Sequence, residues 1–173
     1  MPIAVLRPNT TTGGTTTGFD QTGDNLLTRI NDGSTDSFVT QVSGGAIIFL
    51  HVDDSDDATN GTINGASIFV THKAAAKGES VGQIRLYDFG ATSTIASENF
   101  TISNTEFQTF EVCSTTSVTP SQINNLGIFY TATSGGPSLA NIEVRVDYND
   151  AVVGQSSILL QGKIELLEGK IFI

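Results

Sequence analysis

The chain has 173 residues, which fits one domain with a hydrophobic core but not two ordinary domains with additional tails. Acidic residues outnumber basic ones 18 to 8, and the formal net charge of -10 argues against binding to nucleic acid or to an anionic membrane surface. A single cysteine, Cys113, excludes an internal disulfide and therefore a disulfide-stapled secreted scaffold.

The first 18 residues join a short apolar stretch to a run of Thr, Gly and Asn. Between Pro8 and Asp24 the only large apolar side chain is Phe19, so this segment cannot bury enough surface to offset its ordering entropy. We predict an extended N-terminal arm over residues 1–18, which is either disordered or ordered by a neighbouring subunit. Arg7 follows the apolar stretch, the reverse of a secretory signal, so we expect synthesis in a cytoplasm without a cleaved signal.

Residues 19–150 carry short β-type segments separated by Gly- and Asn-rich turns at intervals of roughly ten residues, which is typical of a two-sheet antiparallel fold. The predicted strands are Leu26–Ile30, Ser37–Val42, Ala46–Val52, Ala66–Lys73, Val81–Asp88, Thr94–Ile102, Glu106–Cys113, Leu126–Ala132 and Leu139–Tyr148. Ala46–Val52 is apolar on both faces, which indicates a central strand. The predicted fold class is all-β, a jelly-roll-like antiparallel β-sandwich.

The segment Thr119–Tyr148 has the clearest local signals. Thr119, Pro120 and Gln122 place a capping hydroxyl, a proline at the first helical position and a glutamine three residues after the cap, which predicts one helical turn. The strand Asn141–Tyr148 then alternates apolar and polar residues without a fault, which predicts a sheet with one buried face and one solvated face.

The order of motifs in this region resembles a β-sandwich domain that recurs in virion proteins of tailed bacteriophages. The matching segments are Phe107-Gln-Thr-Phe110, the capped turn with Gln122-Ile-Asn-Asn-Leu126, Gly127-Ile-Phe-Tyr-Thr-Ala132, and Asn141-Ile-Glu-Val-Arg-Val-Asp-Tyr148. Upstream, Ile68–Thr71 and Gln83–Leu86 are similar to the two middle strands of that family, so the resemblance covers about residues 19–150. It implies a structural or attachment role on a virus particle and supplies no catalytic residues. The chain departs from the family in lacking the tryptophans that precede the capped turn.

The C-terminal segment 151–173 contains an internal repeat, Leu159–Glu165 followed by Leu166–Phe172. As β structure, the repeat forms a small meander with turns at its Gln-Gly and Glu-Gly pairs; as a helix, it forms a short heptad seam. We favour β structure, because each Gly inside a helix costs about 1 kcal/mol. In either form its apolar side chains need a covering surface, so we predict an assembly tail. The predicted interface residues are Leu159, Leu160, Ile164, Leu166, Leu167, Ile171, Phe172 and Ile173.

Two residue groups suggest metal-binding chemistry, and each has a simpler structural explanation. The acidic run Asp53–Asp57 offers oxygen ligands for calcium, but Gly65 stands where an EF-hand loop requires its bidentate acid, so a solvated loop is favoured. His51 and His72 lie in predicted strands and lack a cysteine partner, which favours packed imidazoles over a shared metal. We predict no metal site and no cofactor.

Two further groups concern carbohydrate chemistry. A glycosidase needs two convergent carboxylates, and the spacing of Glu98, Glu106, Glu111 and Glu143 selects no pair among them, so we predict no catalytic residue and no enzymatic activity. The aromatic residues Tyr87, Phe129 and Tyr130 suggest sugar stacking. Phe129 and Tyr130 are neighbours on opposite faces of a strand, so at least one of them must be core.

The predicted function is that of a bacteriophage virion structural protein, a capsid decoration or cement protein, or another surface protein that stabilises the particle through its tails. The expected partners are other virion proteins such as the major capsid protein and further copies of this chain, with neither nucleic acid nor membrane. The expected location is the virion surface, after synthesis in the host cytoplasm. The alternative is a receptor- or glycan-binding module of a tail fibre or spike, which predicts an aromatic, polar groove at one end of the sandwich.

Overall fold

The computed structural model describes residues 2–20, 26–31, 34–42, 45–54, 58, 60–75 and 78–149. Two five-stranded antiparallel sheets pack face to face, which confirms the predicted all-β antiparallel sandwich. The strands are β1 (Ile3–Leu6), β2 (Pro8–Thr17), β3 (Val39–Thr40), β4 (Ala46–Val52), β5 (Thr62–Lys73), β6 (Ser80–Asp88), β7 (Ser93–Ile102), β8 (Gln108–Thr115), β9 (Leu126–Ser134) and β10 (Ser138–Asn149). The helices are α1 (Leu26–Asn31) and α2 (Pro120–Ile123).

Sheet A has the strand order β1-β10-β5-β8, and β3 pairs with the first residues of β10 on the same edge as β1. Sheet B has the order β2-β4-β9-β6-β7. β4, β6 and most of β5 bury alternate side chains between the sheets, as the period of two requires. Ile48 and Leu50 of β4 pair with Tyr130 and Ile128 of β9, and all four belong to the hydrophobic core together with Ile142 and Val144 of β10.

The predicted strand Ala46–Val52 has the observed bounds of β4 and is an inner strand of sheet B, flanked by β2 and β9. The alternating segment Asn141–Tyr148 lies within β10, with its apolar members buried. The other predicted strands after residue 31 also correspond to observed strands, although Ser37–Val42 contributes only the two-residue β3 and an isolated bridge at Gln41.

The predicted strand Leu26–Ile30 is wrong, because these residues form the helix α1. Leu26 and Ile30 are both buried, and Leu27 packs against the core beside them. Apolar residues at positions i, i+1 and i+4 fit one face of a helix, whereas a strand would turn Leu27 away from the core. Asn31 donates a side-chain hydrogen bond to the Pro8 carbonyl over 2.8 Å, which ties the end of α1 to the start of β2.

The residues predicted as an N-terminal arm supply two strands of this chain's own sandwich. β1 pairs with β10 in sheet A, and β2 pairs with β4 in sheet B, so a single short segment borders both sheets. β2 is rich in threonine, whose β-branched side chain suits extended backbone. The hydrogen bonds of these strand pairs and the burial of Leu6 stabilise β1 and β2, which composition alone did not predict.

The predicted helical turn is confirmed as α2. The Thr119 backbone N–H donates to the Gln122 side-chain oxygen over 2.9 Å, and Thr119 and Gln122 complete a reciprocal capping box. Within the described ranges, no helix has the length and hydrophobicity needed to cross a bilayer. The predicted C-terminal assembly tail, residues 151–173, lies outside the described residues.

Candidate functional site

Five rings form a cluster on the outer face of sheet B, the face that points away from the core. His51 and Phe49 come from β4, Phe129 from β9, Tyr87 from β6, and Phe89 from the residue after β6. All five side chains are half-buried. We call this surface the aromatic face; it occupies a position where the outer side of a sandwich normally carries polar residues.

The strand register explains why these rings meet. In one row across the sheet, Phe49 of β4 pairs with Phe129 of β9, which pairs with Arg85 of β6. In the next row, Gly127 of β9 stands between His51 and Tyr87. Directly paired residues point to the same side of a sheet, so both rows present their side chains on one surface.

Gly127 makes room for the central ring of the aromatic face. A side chain at this position would overlap the ring of Phe89, which lies over the glycine between His51 and Tyr87. The Leu50 carbonyl oxygen would also lie only 2.9 Å from an added Cβ. The absence of a side chain in β9 is therefore what allows Phe89 to fold back onto the sheet.

The rings cover one another. Phe89 is stacked on both sides, with its centroid 3.5 Å from His51 and 4.7 Å from Phe49. Tyr87 contacts both phenylalanines at nearly right angles, with centroid distances of 5.1 Å and 5.4 Å. The guanidinium of Arg85 lies 4.9 Å from the centroid of Phe129. Aromatic pairs of this kind each contribute about 0.5–1.5 kcal/mol beyond area burial, so the rings hold one another in place.

The outer face of sheet A has a different character. It carries an open groove of about 660 Å³ whose walls include Ser67, Phe69, Thr116, Arg145 and Asp147. The Arg145 guanidinium lies 3.8 Å from the centroid of Phe69. This groove combines one aromatic ring with hydroxyl and carboxylate groups.

The polar groups at the groove are largely paired with one another. Arg145 donates from Nε to Glu143 Oε1 over 2.7 Å, and its Nη2 lies 2.6 Å from the same oxygen. Glu143 is 6% exposed, so this ion pair is shielded from solvent on the acidic side. On the neighbouring strand, the Ser67 hydroxyl donates to Glu111 Oε1 over 2.8 Å.

The carboxylates considered at the sequence level do not assemble into an acid–base pair. Glu111 and Glu143 share a face but stand on either side of Phe69, one strand away each, and both are engaged as described above. Glu98 lies exposed on β7 in sheet B, and Glu106 lies exposed before β8.

The two histidines do not share a site. His51 belongs to the aromatic face outside sheet B, whereas His72 is buried on the inner side of sheet A. Within the described ranges, no three His, Cys, Asp or Glu side chains form a group suited to hold a metal. Of the acidic run, Asp53 and Asp54 are described and residues 55–57 are not.

The three aromatic residues predicted as candidates for sugar stacking separate into two groups. Tyr130 is fully buried and is core, and burial raises the pKa of its phenol well above the usual range. Phe129 and Tyr87 lie on the aromatic face. Sequence reasoning missed Phe49 and Phe89; the available signal was the apolar outer side of Ala46–Val52, which indicated a strand covered on both faces. All eight predicted interface residues of the C-terminal tail lie outside the described residues.

No protein-family model matches the chain, and no curated protein matches it. Among solved structures, an arabinose-bound GH51 α-L-arabinofuranosidase is 10% identical with a TM-score of 0.45, over 80% of this chain and 24% of that one. The C-terminal CBM6 of LamC, from Zobellia galactanivorans, is 10% identical with a TM-score of 0.44, over 84% and 98%. A cyclase from Fischerella sp. TAU is also 10% identical with a TM-score of 0.44, over 86% and 100%. Similarity at this level carries no conclusion about the function of this chain.

Proposed function

We propose that this chain is a non-catalytic structural protein of a bacteriophage particle, a decoration or cement protein of the capsid surface that joins other virion proteins through the aromatic face. The aromatic face is the observation that carries the proposal. Its chemistry of aromatic rings with an arginine is the composition that is enriched at the centres of protein–protein interfaces.

The way in which the rings pack favours a protein partner over a sugar. A pyranose ring stacks on a free aromatic face, but both faces of Phe89 are covered by His51 and Phe49. Arg85 lies over one face of Phe129. The cluster therefore offers ring edges and an uneven apolar surface, which suits a partner protein whose side chains pack against it.

The resemblance to phage virion domains supplies the class of partner. A net charge of -10 agrees with a protein displayed outside a capsid, because such a surface repels the phosphate backbone of the packaged genome. Binding through preformed rings loses little side-chain entropy, since these side chains are already held by one another. Stabilisation of the particle then comes from the surface buried between neighbouring subunits.

The first experiment asks where the protein is. Antibodies raised against the purified chain should label phage particles in electron micrographs of the source material, at regular positions on the particle. Absence of label from every particle, in material where the protein is detected in the soluble fraction, would refute the particle role.

The second experiment asks whether the aromatic face is the contact surface. Tyr87→Ser and Phe129→Ser should each weaken binding of the purified chain to particles assembled without it by at least about tenfold, as expected for central interface residues. The matched control is Phe107→Ser, because Phe107 is also half-buried but packs with Phe38 and Lys73 on the other sheet. Equal binding by all three variants would show that the contact lies elsewhere.

The second candidate function is a glycan-binding module, and the groove on sheet A favours it. The groove has one aromatic ring, Phe69, with Ser67, Thr116 and Asp147 as hydrogen-bonding groups around it. A glycan array with the wild-type chain tests this function directly. If a sugar binds, Asp147→Ala should abolish the signal and Tyr87→Ser should retain it; the opposite result would assign the sugar to the aromatic face.

A further inference from the structure

A pocket of about 210 Å³ opens along the side of the sandwich where β7 of sheet B lies against β8 of sheet A. Its walls include His72 of β5, Phe100 and Thr101 of β7, and Phe110 and Val112 of β8. Both β7 and β8 are edge strands, so the pocket lies in the seam between the two sheets. It is separate from the aromatic face and from the groove on sheet A.

His72 is the polar group at the inner wall. The side chain is 2% exposed, and its Nδ1 has no hydrogen-bond partner within the described part of the chain. The imidazole packs at a tilt against two phenylalanine rings, with its centroid 5.4 Å from that of Phe100 and 5.5 Å from that of Phe110. A buried polar atom without a partner costs free energy, so its presence beside a pocket needs an explanation.

Burial lowers the pKa of His72 from 6.5 to about 4. The imidazole is therefore neutral at pH 7 and carries one donor and one acceptor nitrogen. Phe110, a large hydrophobic residue left 39% exposed at the edge of sheet A, supplies an apolar wall, and the polar residues Asn99 and Glu111 also line the pocket.

We propose that this pocket binds a planar aromatic group that carries an O–H or N–H donor, of the phenol or indole class, which packs against the pocket's phenylalanines and hydrogen bonds to the imidazole of His72. The volume agrees, since a dry cavity of about 150 Å³ accommodates benzene. The aromatic walls favour a flat ring, and the neutral imidazole favours a ring with a polar hydrogen. The same group has two sources, a free small molecule or a Tyr or Trp side chain of a partner protein.

The first test compares phenol with toluene, which has the same shape but no donor. Titration of the full-length chain, followed by NMR on the signals of His72, Phe100 and Phe110, should show saturable binding of phenol that is about tenfold tighter than that of toluene. His72→Phe should remove the preference for phenol, and His72→Gln, which keeps hydrogen-bonding groups, should retain part of it. Equal affinity of phenol and toluene for the wild type would overturn the proposal.

The second test distinguishes the sources. Free p-cresol and the peptide Gly-Gly-Tyr-Gly-Gly present the same ring, and both should compete with phenol if the pocket seats a partner's side chain. If only p-cresol competes, the ligand is a free small molecule. Chemical-shift changes confined to the aromatic face, with none at Phe100 or Phe110, would refute binding in the pocket. This observation uses the wild-type chain, so it holds even if His72→Phe fails to fold. The particle role does not depend on either result.

Discussion

Replacement of His72 should remove a specific part of the dependence of stability on pH. Burial lowers the pKa of this imidazole from 6.5 to about 4 in the folded chain, so the unfolded chain takes up a proton first when the pH falls. The contribution of His72 to the free energy of unfolding is therefore fully present above pH 6.5. It decreases as the pH falls from 6.5 towards 4 and levels off below 4. His72→Phe and His72→Gln have no such group and lack this component.

The magnitude follows from the two pKa values. Between pH 7.5 and pH 4, the difference in proton binding between the unfolded and folded chains integrates to about 3 kcal/mol. That is a large share of the total for a single domain, whose free energy of unfolding is typically about 5–15 kcal/mol. Glu111 also borders the pocket, but it accepts a hydrogen bond from Ser67 on the outer face in every variant, so its contribution cancels in the comparison.

The assay is urea denaturation of the wild type and both variants at pH 7.5, 6.5, 5.5 and 4.0. The wild type should lose about 3 kcal/mol more than either variant across this range, with most of the change below pH 6.5. Carboxylates elsewhere in the chain are the same in all three proteins, so they change the free energy of unfolding of all three equally. If the curves of the three proteins remain parallel at every pH, the imidazole is not buried in its neutral form and the reasoning about the pocket fails with it.

Three further outcomes are expected. Gly82→Ala should destabilise the chain by about 1–3 kcal/mol in urea, because the added methyl group overlaps the Thr131 carbonyl and the Phe100 ring; an unchanged midpoint would contradict the close packing of β6 on β7 and β9. Gln122→Ala should lower the free energy of unfolding by about 1 kcal/mol, because it opens the capping box of α2. A loss below about 0.3 kcal/mol would mean that water replaces the hydrogen bond of the Gln122 side chain. Deletion of Gln155–Ile173 should leave a folded sandwich by circular dichroism but weaken assembly with virion partners, because the predicted assembly tail adds a contact to that of the aromatic face; unchanged particle binding by the truncated chain would refute the role of the tail.

The strands were predictable where their local pattern had a single interpretation. β4 and β10 follow from period-two burial, and α2 follows from its capping residues, because each of these signals lies within about ten consecutive residues. α1 was not predicted, since Leu26 and Ile30 share a face in a strand as well as in a helix. Only the placement of Leu27 separates the two structures, and that placement depends on the rest of the core.

Composition did not predict that residues 2–17 form ordered strands. A Thr- and Gly-rich segment has too few apolar side chains to fold alone, but the free edges of β4 and β10 provide backbone hydrogen bonds that composition does not record. Edge strands of this kind are stabilised by their neighbours rather than by their own sequence.

The aromatic face and the His72 pocket depend on register and on sheet order. Phe49, Phe89 and Phe129 are far apart in the chain and meet because β9 lies between β4 and β6. The pocket requires the edges of two different sheets to lie side by side. Local periodicity predicts that a residue points inward or outward, but not which distant residue stands beside it.

The position of β10 has a consequence for synthesis. The last of the described strands, β10, is an interior strand of sheet A, inserted between β1 and β5, which leave the ribosome much earlier. All five members of sheet B precede it, so a nascent chain can complete one layer while the other still lacks its middle. Long-range pairing of this kind slows folding. A chain whose synthesis stops before residue 138 leaves the edges of β1 and β5 that would pair with β10 unpaired, and such edges promote aggregation. The complete sandwich can therefore form only after Ser138–Asn149 has been synthesised.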